Sequence, residues 1–159
     1  MHEELVTSAN HAYALAVQLT GNTASAEDIV HDAIVKVLRK PRAYDPKRGT
    51  FRAWFATVVR NLAYDQHRRK VETSDAVDPL IDANSNPEQS AISNEQDQLL
   101  VTALNDLAQE HREILVLRDY SGFAYDEIAR VLNIPKGTVM SRIHRARSAL
   151  HKRLVELEP

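Results

Sequence analysis

The 159-residue sequence has no cysteine, four glycines and six prolines. Without cysteine there is neither a disulfide framework nor a thiolate metal site, and a reducing cytoplasm is the natural setting. Scarce glycine argues for helices rather than a sheet of tight turns. No run of about 18 apolar residues occurs, so no direct membrane insertion is expected. The start, His2-Glu3-Glu4, lacks the basic character of a signal peptide. There is no HExxH, no glycine-rich phosphate loop and no GxSxG, and the seven histidines are scattered. The expectation is a protein with no catalytic residue, no metal and no cofactor.

Basic residues are also missing from one region. Residues 71–111 hold nine acidic side chains and no lysine or arginine. Residues 1–70 hold 11 basic against 7 acidic side chains, and residues 112–159 hold 9 against 6. The net charge of −2 therefore averages two basic blocks around an acidic one. The acidic block is rich in Asp, Ser, Asn and Pro and loses apolar periodicity. It reads as a flexible linker over 71–94, because more than twenty structureless residues within one compact domain would be unusual. An ordered surface loop is the alternative. The fold class expected is all-α, with two small helical domains, 1–70 and 95–159.

The N-terminal block reads as three helices. Leu5, Ala9, Ala12, Ala16 and Leu19 stripe the first, which Gly21-Asn22 ends. Ser25 is the expected N-cap of the second, with Asp28 three residues on. Its inward face carries Ala26, Ile29, Val30, Ala33 and Val37, and its outward face Asp28, Asp32, Val35 and Arg39. The third follows Gly49 with Phe51, Trp54, Phe55, Val58, Val59 and Leu62, a 3.6-residue period that marks core.

Four helical segments follow the linker: around Leu99–Leu107, around Ile114–Leu117, at Asp126–Leu132, and from Pro135 to about Arg153. The last two are joined by only Asn133 and Ile134. A short amphipathic helix, a tight turn and a basic helix make a helix-turn-helix, whose second helix enters the major groove. From Lys136 to Arg153 there are six Lys/Arg residues and no acidic one. Ser141, Arg145, Ser148 and Lys152, with His144 beside them, lie opposite Val139 and Ile143. Arg145 suits a guanine edge, and Ser and His suit bases or phosphates.

The stretch GFAYDEIARVLNIPKGTVMSRIHRARSAL closely resembles region 4 of bacterial sigma factors of the extracytoplasmic-function group. The resemblance implies that this unit reads the −35 promoter element through Lys136, Thr138, Met140, Ser141, His144, Arg145 and Ser148. Two positions depart from the family pattern. Ala124 stands where a capping Ser or Thr is usual, a loss of roughly 1 kcal/mol. Met140 stands where a basic residue is common.

SAEDIVHDAIVKVLRK resembles region 2.2, the helix that docks on the clamp of the polymerase β′ subunit. Asp28, Asp32, Val35 and Arg39 are thereby implied as core-polymerase contacts. RGTFRAWFATVVRNLAYDQHRR resembles regions 2.3 and 2.4, which unwind the −10 element and capture a flipped base. Lys47 and Arg48 would hold the strand backbone, and Tyr44 would offer a stacking surface or pack as a hinge. Thr57, Arg60, Asn61 and Tyr64 would face DNA. The implied partners are core RNA polymerase through its β′ clamp and β flap, promoter DNA, and an anti-sigma factor. A stand-alone regulator with a sensing or dimerising N-terminal block is the alternative, and would bind its operator tightly without polymerase.

Overall fold

The computed structural model describes residues 2–73 and 94–159. The linker expected over 71–94 falls largely outside them. The described residues form seven α-helices and no strand.

Helix α1 spans His2–Thr20 and buries Ala12, Leu15, Ala16 and Leu19. Gly21 adopts φ 67°, which turns the chain out of the helix at no steric cost. Helix α2 spans Thr23–Arg39. Its N-cap is Asn22, not Ser25: the Asn22 side chain accepts the Ser25 N–H at 3.2 Å. Asn22 sits in extended backbone directly after the Gly21 turn, so it reaches the free N–H groups first. Two short 3₁₀ turns, Pro41–Ala43 and Pro46–Arg48, lead to α3, Phe51–Thr73. Helix α3 therefore runs three residues past the expected domain end at 70. Its predicted stripe is the core: Phe51, Phe55 and Val59 are buried, with Trp54, Val58 and Leu62 half-buried.

The second unit comprises α4 (Glu95–Asn105), α5 (Gln109–Leu115), α6 (Tyr125–Leu132) and α7 (Lys136–Leu157). Helix α5 loosens into a π turn over Val116–Tyr120, closed by Ser121 N–H to the Val116 carbonyl at 2.9 Å. Between α6 and α7, Asn133 takes left-handed φ 54°, and Ile134 N–H bonds back to the Ala129 carbonyl at 3.0 Å. This closure lets the chain turn within two residues and lays α7 across α6. Val139, Ile143 and Ala146 are buried along α7, with Leu150 and Leu154 half-buried. Pro135 is the residue before the first turn of α7 rather than in it, and the helix continues four residues past Arg153, to Leu157.

The two units pack on each other. Helix α3 lies against α6, and α1 against α5 and the π turn. Buried residues of both units form one contiguous apolar cluster. The His11 and Phe123 rings meet edge to face across the boundary, with centroids 6.2 Å apart.

Candidate nucleic-acid interface

The face assigned to −35 recognition is open. Lys136, Met140, Ser141, His144, Arg145 and Ser148 are exposed on one side of α7, and Thr138 is half-buried. Arg145 makes no hydrogen bond or ion pair among the described residues. Its neighbours on the helix are engaged: Arg147 pairs with Asp119 at 2.5 Å, and Lys136 with Asp126 at 3.1 Å. Ser141 donates to the Thr138 carbonyl at 3.1 Å. Met140 is 54% exposed, an apolar side chain within the polar row.

The first helix of the pair lacks a side-chain cap, because Ala124 carries no acceptor. The reciprocal half of a capping box remains: Ala124 N–H donates to Glu127 Oε1 at 2.9 Å. Glu127 is 7% exposed and does more than cap. It accepts Thr50 Oγ1 at 2.5 Å and Arg52 through Nε at 2.7 Å and Nη2 at 2.5 Å. Burial pushes its carboxyl up. The bonds from Arg52, Thr50 and the Ala124 N–H outweigh burial and hold it at about 2.

The face assigned to −10 recognition is partly covered. Arg60 forms an ion pair with Glu113, a carboxylate of α5 that is 3% exposed. The guanidinium also lies over the Tyr64 ring, 4.7 Å from its centroid. The Tyr64 hydroxyl accepts the Gln109 amide at 2.8 Å. Burial raises the Glu113 carboxyl, offset in part by the bond and charge of Arg60 and by Arg142. Burial also raises the Tyr64 phenol, with the Glu113 charge adding to it. Thr57 donates to the Ala53 carbonyl at 2.9 Å, within its own helix. Asn61, Lys47 and Arg48 are exposed.

Tyr44 is half-buried. Its hydroxyl donates to the Gly49 carbonyl at 2.9 Å, and its ring packs on Phe51 and Trp54 at 5.2 and 5.5 Å. It is therefore part of the hinge that sets the loop before α3. Gly49 has φ 148°, and an added Cβ there would crowd the Arg130 side chain, with Nη1 only 3.1 Å away. The loop thus rests against α6.

The outer face of α2 is free of the second unit. Asp28, Asp32 and Arg39 are exposed, and Val35 is half-buried. The structure adds Leu38, 63% exposed beside Val35. Sequence reasoning missed it because it lies off the row of charged residues, though an apolar residue outside the inward stripe was the available signal. Glu113, Glu127 and Arg52 were missed as well, since their pairing across 53 and 75 residues leaves no local pattern.

An α-helical unit followed by a helix-turn-helix with an open basic face is the architecture of a DNA-binding protein. Comparison with known proteins carries this to a family. Residues 5–73 match Sigma-70 region 2, and residues 97–150 match Sigma-70, region 4. The ECF RNA polymerase sigma factor SigL of Mycobacterium tuberculosis is 36% identical over 146 residues, covering 89% of this chain and 81% of that protein. SigE of Mycolicibacterium smegmatis is 35% identical over 160 residues, covering 97% of this chain and 62% of that longer protein. The sigma factor RpoE of Bartonella quintana, solved in complex with the anti-sigma factor NepR, superposes with TM-score 0.78 at 30% identity, covering 99% and 98% of the two chains. The sigma fold recurs in CnrH, solved with the cytosolic domain of CnrY, at TM-score 0.66 and 23% identity. The chain belongs to the extracytoplasmic-function group of the sigma-70 family, a family of transcription initiation factors rather than enzymes.

Proposed function

We propose that this protein directs core RNA polymerase to a set of promoters in the cytoplasm, with no catalytic chemistry of its own. The exposed α7 face, with Arg145 unpaired at its centre, carries the reading. A guanidinium without an internal partner keeps its donors for a base edge, while Ser148, and Lys136 once it exchanges Asp126, meet phosphates. The −10 element is read by Thr57, Arg60, Asn61 and Tyr64 on α3, with Lys47 and Arg48 holding the strand from the preceding loop. Asp28, Asp32, Val35 and Arg39 on α2 dock on the β′ clamp, and the second unit meets the β flap.

An anti-sigma factor is the proposed negative partner. RpoE of Bartonella quintana, 30% identical, is solved in complex with such a protein, the anti-sigma factor NepR. A groove of about 590 Å³ runs between the two units here, lined by Tyr13, Ala14, Val17, Leu100, Leu104 and Leu115. An apolar groove of that size suits the apolar face of a partner helix.

The test is reconstitution. Purified protein with core polymerase is expected to start transcripts at a cognate promoter, while the protein alone binds that promoter weakly and with steep salt dependence. Tight operator binding by the free protein, with no transcript on adding core, overturns the proposal in favour of a stand-alone regulator.

A further inference from the structure

Along the first turns of α7, most side chains are engaged, buried or absent. Lys136 is held by Asp126 at 3.1 Å, and the Ser141 hydroxyl donates to the Thr138 carbonyl at 3.1 Å. Gly137 has no side chain, and a Cβ built on it meets no atom within 4 Å. Thr138 is half-buried, and Val139 is fully buried. Met140 is the long side chain that stands clear. It is 54% exposed, one turn after Lys136 and one turn before His144. It lies outside the buried row of Val139, Ile143 and Ala146, so the core makes no use of it.

The N-terminal part of the second helix is the part of a helix-turn-helix that meets base edges. Most major-groove groups on those edges are hydrogen-bond donors and acceptors, and the apolar exception is the thymine C5-methyl. A thioether donates no hydrogen bond and accepts one weakly. Set over guanine O6 or the cytosine amino group, it strips water from a polar atom and returns no bond, which is costly. Set over a thymine methyl, it takes apolar surface of both partners out of water. The unbranched chain and polarisable sulfur of methionine let it settle on a methyl group at several approach angles. The bare Gly137 beside it leaves room for the base edge to come close.

We propose that Met140 is a specificity-determining residue whose thioether packs on a thymine C5-methyl of the −35 element, so that one base pair is selected by apolar contact rather than by a hydrogen bond. Arg145, further along the helix, selects by the opposite chemistry, donating to a base edge. The assignment of Met140 rests on α7 being the −35 reader, as proposed above.

A single-methyl substitution in the DNA provides the test. Duplexes randomised through the −35 region are selected on the full chain bound to core polymerase. In the preferred duplex each thymine is then replaced in turn by deoxyuridine, which deletes the C5-methyl and leaves every hydrogen-bonding group in place. Holoenzyme affinity is expected to fall about fourfold at one thymine, as burial of one methyl group implies. In Met140→Ala the same thymine and deoxyuridine duplexes are expected to bind equally. The position is exposed and alanine favours helix, so this variant keeps its fold. A −35 preference with no methyl effect at any thymine overturns the role of Met140, and so does a methyl effect that persists in Met140→Ala. Holoenzyme with no −35 sequence preference at all overturns the assignment of α7 itself, and the role of Met140 with it.

Discussion

Replacing Glu127 perturbs three things at once, and the structure separates them. Glu127→Ala removes the side chain that accepts the Ala124 N–H at the α6 N-terminus, which costs about 1 kcal/mol by analogy with other helix caps. It also strips Arg52 and Thr50 of their partner. Charged hydrogen bonds contribute about 1.5–3 kcal/mol each when buried. The Arg52 side chain is 36% exposed, so water recovers part of that loss. The expected total is about 3 kcal/mol at pH 7. Glu127→Gln keeps an acceptor for the Ala124 N–H and loses the charge, for about half the effect.

The pH dependence gives a second check. The folded carboxyl sits at about 2 against an ordinary 4.5, so the folded state favours its ionised form. The stabilisation is complete above pH 4.5 and drains away as pH falls toward 2. Glu113 has the opposite sign, because burial raises it and its neutral form is favoured on folding. Urea unfolding followed by far-ultraviolet circular dichroism, at pH 7 and in steps below pH 4.5, measures wild type against both variants. The reasoning is refuted if Glu127→Ala costs under about 0.5 kcal/mol at pH 7, or if the gap between wild type and Glu127→Gln does not narrow in acid.

Ala124→Ser places a hydroxyl at an N-cap already in extended backbone (φ −67°, ψ 156°), and is expected to raise stability by about 0.5–1 kcal/mol in the same unfolding assay. Gly49→Ala meets both a φ of 148° and the Arg130 side chain, and is expected to lower the melting temperature more than Gly137→Ala, whose added Cβ meets open space in α7. Leu38→Glu is expected to weaken binding to core polymerase in a pull-down or interferometry assay while leaving the helical spectrum unchanged. Arg145→Ala is expected to weaken −35 recognition by about 1–3 kcal/mol in a promoter-binding assay with holoenzyme, leaving core binding intact.

The apolar skeleton was legible because periodicity and burial report the same thing. Phe51, Phe55 and Val59 on α3, and Val139, Ile143 and Ala146 on α7, are where their spacing places them. The turn at Asn133 was legible too, since a two-residue connection admits few backbones. The α2 cap was not: Ser25 and Asp28 imitate a capping box, but the left-handed Gly21 presents Asn22 to the free N–H groups instead. The π turn at Val116–Tyr120 has no local signature, as it answers to packing against α1 and α6. Packing of the two units was hidden for a similar reason. Glu113 and Glu127 look like ordinary surface charges, and only the fold shows that they are buried opposite Arg60 and Arg52. On the candidate site, α7 offered its residues by helical position alone, while the packing of Tyr44 on Phe51 and Trp54 is visible only in the fold.

Arg60 and Tyr64 answer to two masters. In this arrangement they satisfy Glu113 and Gln109, and in the proposed function they satisfy a melted strand. A substitution that improves one allegiance is judged again by the other. Lysine at position 60 would keep the charge but lose the planar guanidinium that meets Glu113 through Nε and lies over the Tyr64 ring. Drift at these positions is thus confined to side chains acceptable in both states. New promoter preferences should evolve instead through the open face of α7, where the proposed function gives Met140, His144 and Arg145 a single client.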